Sequence, residues 1–378
     1  MLRILVVLLI ASTSVVLVLV ALELLLRYWA ESPKQSATYE GHGEFGRSAY
    51  KLPFPHIASR DARVTEEFWR ELQTYLATQK HAEKTSDGSG VALNRLAVET
   101  LHGQHFSIAG RMRSTTAQPV HSRRRITCHG GSTTFCFEVP DSQTWCSHLQ
   151  HHLNLADPQG VRVENHGIGG TPGLERLASF KLIHVPRWSE VAVFYFGCND
   201  SGWKQYGQRT GRAHAHLPLA LRLILRFSKR GLEIASWIYG ETSPRSLRKL
   251  AVETADTTIA AAKDAARFAE ERGARVLFIL QPHVFTRASR ESWDSMVIRN
   301  TARDLSIMLD AAYTRYRDWI LSSPIAVDAT HIFDDEERSP YLDWAHVNSR
   351  GNELIAEFVY GELMKRGMLG PMPESTPS

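Results

Sequence analysis

A serine, an aspartate and a histidine in this sequence have the types and spacing that nucleophilic catalysis needs. Ser132 follows Gly130 and Gly131 in the segment HGGST, and glycines allow a tight turn that leaves the serine hydroxyl uncrowded. Asp343 and His346 stand three residues apart in the segment DWAH. A serine hydroxyl is a weak nucleophile until a base removes its proton, and a carboxylate can hold the other ring nitrogen of that base. We predict that Ser132 is a nucleophile, that His346 is its general base and that Asp343 orients the imidazole.

Two further segments offer hydrogen-bond donors for the oxyanion of a tetrahedral intermediate. The segment NHGIGG ends at Gly170, whose backbone N–H can approach a ligand closely, and GCND contains Asn199, whose amide donates without carrying a charge. With the backbone N–H of Ser132, these groups give three candidate oxyanion donors. The loss of one such donor typically costs about 3 kcal/mol of transition-state stabilisation. The sequence therefore predicts acyl transfer at a serine, with no metal and no organic cofactor.

A parallel β-sheet would bring these segments together. From residue 123 onward, short apolar runs alternate with amphipathic stretches, which is the pattern of βα repeats. In open parallel sheets, ligands bind beyond the carboxyl ends of the strands, and the predicted site residues follow such ends. The five predicted strands are residues 125–128, 161–164, 191–196, 275–280 and 325–327.

The stretches between the strands predict helices on both faces of the sheet. An alanine-rich helix is predicted over residues 255–272, and Gly273 stops it. A long helical stretch runs from about Trp293 to Leu321, and Ser349 is predicted to cap the last helix. Five strands with intervening helices predict an α/β fold, namely a three-layer α/β/α sandwich of the flavodoxin-like kind around a five-stranded parallel sheet.

These four segments, in this order, resemble the sequence blocks of the SGNH hydrolase superfamily of GDSL-like esterases, named after their Ser, Gly, Asn and His. The resemblance runs from about residue 123 to 365 and includes Asn348 and Gly351 after the Asp-x-x-His pair. It implies that Gly170 matches the oxyanion glycine of the family. It also implies substrates such as acylated carbohydrates, lipids or small esters. Gly131 stands where the GDSL name has Asp, and we interpret Gly-Gly-Ser-Thr as the mark of a subfamily.

The amino terminus contains an apolar run, residues 4–26, broken only by short hydroxyl side chains and Glu23. About 20 such residues span the hydrocarbon core of a bilayer, and no good small-x-small cleavage site follows before Arg27. We predict an uncleaved, single-pass transmembrane signal anchor within residues 1–30. It would make this a membrane-anchored member of bacterial type, with the catalytic domain on the extracytoplasmic side, in the periplasm or at the cell exterior.

The remaining sequence divides into a linker, a domain and a tail. Residues 31–122 are interpreted as a membrane-proximal linker region, with one helical stretch at 64–80 in which Phe68, Leu72 and Leu76 have four-residue spacing. Residues 123–370 form the hydrolase-like domain, and residues 371–378 a disordered tail. Within the domain, residues 203–249 are a basic amphipathic insertion. It is a lid over the site, a surface for anionic lipid, or a solvated hairpin packed on the domain.

Composition and charge narrow the class of protein. The chain has 378 residues, 43% hydrophobic and 22% charged, as a folded globular protein does, and its net charge of +4 is dispersed, which argues against nucleic-acid binding. No carboxylate or cysteine completes a metal site with His148 and His152, or with His214 and His216. Four cysteines either form disulfides or pack as small buried side chains: Cys128, Cys136, Cys146 and Cys198.

The leading functional hypothesis is ester hydrolysis through an acyl-Ser132 intermediate, with an ester as the partner. One alternative is an O-acyltransferase that passes the acyl group to envelope polysaccharide, and another is a catalytically silent binding module. Degenerate modules usually lose the serine or the histidine, whereas this chain keeps both. Purely structural roles are the alternative for two of these residues: Ser132 as a helix cap, and Asn199 as a brace of its own loop. Asp328 is a competing acid that we interpret as structural.

Overall fold

The computed structural model describes residues 98–156, 160–169, 171, 173–181, 191–203, 206 and 243–369, with seven helical positions between 68 and 78. All of these except Ser243 belong to one compact unit, Glu44–Tyr206 with Pro244–Ser378. The predicted anchor at 1–30, the tail at 371–378 and most of the linker and of the 203–249 insertion lie outside the described residues. Within the described part, no helix is long and apolar enough to cross a membrane. The anchor stays a prediction.

A seven-stranded mixed sheet forms the centre of the unit, in the order β1-β2-β4-β3-β5-β6-β7. Five neighbouring strands, from β4 to β7 in this order, run parallel. The strands are β1 (Ile108–Ala109), β2 (Met112–Arg113), β3 (Arg124–Gly130), β4 (Val161–Gly167), β5 (Val191–Phe196), β6 (Arg275–Leu280) and β7 (Ala326–Asp328).

The prediction of a purely parallel, five-stranded sheet is wrong at one edge, where β1 and β2 add an antiparallel hairpin. Gly110 and Arg111 form its two-residue turn, and both have positive φ, 58° and 65°, as hairpin turns of this length require. Each of the two strands has only two residues, so neither contains the alternation of apolar and polar residues by which a strand is recognised.

Seven α-helices lie within the described residues from 98 to 369. The long stretch predicted at 293–321 is two helices, because the chain is extended at Thr301 and Ala302. The last helix is capped by Asn348, whose side chain accepts from Gly351 N, and not by Ser349 as predicted. The helices are α1 (Ser132–Phe135), α2 (Trp145–Ala156), α3 (Gly173–Ser179), α4 (Pro244–Glu270), α5 (Ser292–Asn300), α6 (Arg303–Leu321) and α7 (Ser349–Lys365).

The side chains of β5 show how helices cover both faces of the sheet. Phe194 and Phe196 face the core that α4 and α6 close, and the ring centroid of Phe194 lies 4.9 Å from that of Phe278. Tyr195 points to the other face, where its ring centroid lies 5.8 Å from that of Trp145 in α2. Every residue of β5 is therefore buried, as expected for a central parallel strand.

A smaller apolar cluster joins part of the predicted linker to the nucleophile segment. Phe68, Leu72 and Tyr75 are buried in this cluster together with Phe106. The ring centroid of Tyr75 lies 5.5 Å from that of Phe135, which belongs to α1. These helical positions upstream of residue 123 therefore support the segment that contains Ser132.

Candidate active site

The first strand-to-helix connection places Ser132 at the carboxyl edge of the sheet. Strand β3 ends at Gly130, and α1 begins at Ser132. A Cβ atom on Gly130 would lie 2.8 Å from the carbonyl oxygen of Tyr195, and one on Gly131 would collide with the side-chain amide of Asn199. The two glycines are thus needed because neighbouring strands and loops approach this turn closely.

The structure brings the three predicted catalytic side chains into one hydrogen-bonded chain. His346 Nε2 lies 2.8 Å from Ser132 Oγ, and His346 Nδ1 lies 2.7 Å from Asp343 Oδ2. All three residues are buried, with between 4% and 8% of their surface exposed. A hydroxyl, an imidazole and a carboxylate in this order can move a proton away from the hydroxyl oxygen.

The DWAH loop is held so that its aspartate and histidine keep this geometry. Asp343 Oδ1 accepts hydrogen bonds from the backbone N–H groups of Ala345 (2.8 Å) and His346 (2.7 Å), so the same carboxylate folds the loop and orients the ring. The loop is closed by Leu342 N, which donates to the carbonyl of His346, and tied to the β6 side by Val284 N, which donates to the carbonyl of Trp344.

The charges of Asp343 and His346 stabilise each other. Burial alone would raise the pKa of Asp343, but the charge and hydrogen bond of His346 and two backbone N–H donors hold it below its usual value. Burial alone would lower the pKa of His346, but the Asp343 carboxylate raises it above its usual value, with a further contribution from Glu138. The Asp343 carboxylate therefore stabilises the imidazolium that forms when the ring takes the serine proton.

One of the predicted oxyanion donors lies beside the serine. Asn199 belongs to a 3₁₀ turn, Cys198–Asp200, directly after β5, and its Nδ2 lies 3.4 Å from the carbonyl of Thr171. Gly197 enters this turn with a φ of 129°, which side chains rarely adopt. Gly170, the other predicted donor residue, lies outside the described residues.

Two polar residues near the site were not predicted. Gln281 directly follows β6, and Thr133 Oγ1 donates to its Oε1 at 3.3 Å. Its position after a strand end was the signal that could have found it. Glu138 is buried with its charge in reach of His346 and Asp343. The only sign of it in the sequence is one acid inside the otherwise apolar run FCFEV.

The structure shows the partners of Asp328 and the state of the four cysteines, two points that the sequence left open. The competing acid Asp328 bonds to Arg317 Nε at 3.0 Å and to Thr330 N at 2.8 Å. It therefore has partners of its own, away from His346. All four cysteines are free and buried, so they pack as small core side chains: Cys128, Cys136, Cys146 and Cys198.

Replacement of Asn199 by alanine tests the oxyanion role. We expect kcat for ester hydrolysis to fall about 10²–10³-fold with little change in KM, because the amide would act on charge that develops in the transition state. The measurement is steady-state turnover of an activated ester at a pH where the parent is fully active. The exposed Asn300, replaced by alanine, is the control, and a parent-like kcat for Asn199→Ala would contradict the role.

The structure agrees with the arrangement that the sequence motifs predict. It places a serine at the first βα turn, an asparagine after β5 and a carboxylate–histidine pair after β7. No family model and no curated protein matches the chain.

Several solved structures show distant similarity to this chain. An acetylxylan esterase from Geobacillus stearothermophilus is 13% identical, with 65% of this chain and 95% of that chain covered and a TM-score of 0.36. A putative lipolytic protein of the G-D-S-L family from Desulfitobacterium hafniense is 10% identical, with 64% and 100% covered and a TM-score of 0.39. TesA is 15% identical, with 64% and 99% covered and a TM-score of 0.36.

Proposed function

We propose that the protein hydrolyses carboxylic esters through an acyl-enzyme formed on Ser132. The observation that supports this most directly is the continuous hydrogen-bonded chain from Asp343 through His346 to Ser132, with distances of 2.7 and 2.8 Å. An N-cap serine or a packed surface histidine would not require this alignment.

The proposed reaction has two steps that use the same groups. Ser132 Oγ attacks the ester carbonyl carbon while its proton passes to His346 Nε2, and Asp343 stabilises the resulting imidazolium. His346 then gives this proton to the departing alkoxide, which leaves as an alcohol. In the second step, water loses a proton to His346 and attacks the acyl-enzyme, and the acid is released as Ser132 regains its proton.

Charge on the tetrahedral oxygen requires donors that are already in place. In this proposal the backbone N–H of Ser132, the N–H of Gly170 and the amide of Asn199 supply them, as the family resemblance implies. The collision expected between a Cβ on Gly131 and the Asn199 amide supports this for Asn199, because it shows how near the amide is to the nucleophile turn.

The proposed location rests on the sequence. We propose that residues 4–26 anchor the protein in a membrane and that the ester is met on the extracytoplasmic side, since this apolar run has the length of a bilayer span. The ester class is wider than one substrate: acylated carbohydrates, lipids and small esters share the bond that this site would cleave.

A serine-reactive phosphonate probe tests the proposal on the full-length chain. We expect mass spectrometry to place the label on Ser132 in folded protein and not in heat-denatured protein, and a p-nitrophenyl ester series to be turned over. Labelling without hydrolysis in water would replace hydrolysis by acyl transfer to a sugar hydroxyl, which transfer of labelled acyl groups to a glycan would detect. Folded protein that neither labels nor hydrolyses would overturn the proposal in favour of a binding module.

A further inference from the structure

The mechanism above leaves one buried carboxylate near the triad unused. Glu138 stands six residues after Ser132, on the segment between α1 and the 3₁₀ turn Asp141–Gln143, and only 1% of its surface is exposed. Neither carboxyl oxygen has a hydrogen-bond partner on another residue in the described part of the chain. Buried charged groups are normally paired or hydrogen-bonded to other residues, so an acid without such a partner calls for an explanation.

The charge of Arg113 acts on Glu138, but the hydrogen bonds of this arginine go to other groups. Arg113 Nε donates to Asp141 Oδ1 at 2.5 Å, and its two terminal nitrogens donate to the carbonyls of Cys136 at 3.1 Å and Val139 at 2.9 Å. These bonds hold the backbone on both sides of Glu138 in place. They fix the position of the carboxylate without giving it a partner.

The charged and titratable groups around Glu138 come from four parts of the fold. They are Arg113 on β2, Cys136 after α1, Tyr195 on β5, and Asp343 with His346 in the DWAH loop. Among the charge interactions on Glu138, that with His346 is the largest, ahead of Asp343 and Arg113. The imidazolium is therefore the cation whose charge interacts most strongly with Glu138.

We propose that Glu138 is a positioning residue that acts through His346 as a second carboxylate and stabilises the imidazolium formed when Ser132 attacks. The inference rests on the proposed function, since it deepens the role of the same site. Asp343 binds His346 Nδ1, while Glu138 acts through its charge alone and forms no bond to the substrate. The serine proton still passes to Nε2, and Glu138 exchanges its own proton with solvent.

The ionisation of Glu138 makes this role dependent on pH. Burial raises the pKa of Glu138 to about 7, against the opposing influence of His346. Below that pH the carboxyl is neutral and gives the imidazolium little support. Above that pH the carboxylate is ionised, and its negative charge raises the pKa of His346 by favouring the charged form of the ring.

A titration of His346 in the full-length chain tests the proposal without any ester. Selectively labelled histidine is followed by NMR, and the His346 signal is assigned by its absence in His346→Asn. In Glu138→Gln we expect the His346 midpoint to move to lower pH by about one unit, because an anion near the ring is lost. The acid limb of kcat/KM should move in the same direction, which a purely structural role would not cause.

Glu164→Gln is the matched control, because Glu164 is also buried but is paired with Arg125 (3.3 Å) and His166 (3.2 Å) on β3 and β4. It should leave the His346 midpoint unchanged. A parent-like midpoint in folded Glu138→Gln would overturn the role of Glu138, whether or not the protein is an esterase. If that variant does not fold, the parent alone decides: its His346 signal must show a second inflection near pH 7, the pKa of Glu138. A single inflection would equally overturn it.

Discussion

Ser132→Ala is expected to lower kcat for ester hydrolysis by about 10⁴–10⁶-fold, while the melting temperature stays close to that of the parent. The substitution removes only the hydroxyl, which is 2.8 Å from His346 Nε2. The measurement is kcat on the p-nitrophenyl ester series, with thermal unfolding of the same samples.

The double variant Ser132→Ala/His346→Asn sharpens this test. Since serine and base act as one unit, we expect the double variant to lose no more activity than Ser132→Ala alone. Ser322→Ala, at the end of α6, is the control because its hydroxyl only donates to the carbonyl of Trp319. Losses that multiply in the double variant, or a modest loss in Ser132→Ala, would show that hydrolysis proceeds by another route.

The sequence predicted those parts of the fold in which a long run of residues favours one type of secondary structure. Strands β5 and β6 match the predicted residues 191–196 and 275–280, because runs of β-branched and aromatic residues mark strands buried on both faces. The split between α5 and α6 was missed, since no glycine or proline marks the extended residues Thr301 and Ala302. The β1–β2 hairpin was missed because two-residue strands have no period.

The candidate site was predictable for a different reason. Glycines beside a serine and an Asp-x-x-His pair are local patterns, and the sheet rule places them at one edge. The distances between Ser132 and His346, 214 positions apart, became visible only in the structure. Glu138 was missed because acids usually lie at the surface, and one acid in an apolar run is a weak sign of burial that only the fold confirms.

Asp343→Asn is expected to reduce kcat by about 10⁴-fold without disrupting the DWAH loop. An asparagine oxygen can still accept from the N–H groups of Ala345 and His346, which now bond to Asp343 Oδ1 at 2.8 and 2.7 Å. The other carboxyl oxygen is replaced by an NH₂ group, which cannot accept the proton on His346 Nδ1. The ring then loses the tautomer and orientation that present Nε2 to Ser132.

The pH dependence of stability distinguishes this loss from unfolding. The pKa of Asp343 is held low against the effect of burial, mainly by His346, so ionised Asp343 stabilises the fold above its unfolded pKa, and this is lost as the pH falls through its folded pKa. The pKa of His346 is raised in the folded protein, so the ion pair also weakens as the pH rises through the folded pKa of His346.

The difference in the free energy of unfolding between parent and Asp343→Asn should therefore be largest between these two pKa values and shrink on either side. Urea unfolding across the pH range measures it, with kcat determined on the same samples. Asp328→Asn is the control, because Asp328 pairs with Arg317 and lies outside the chain of bonds to Ser132. Equal losses of activity in both variants would mean that Asp343 does not orient the base, since only one of the two carboxylates bonds to His346.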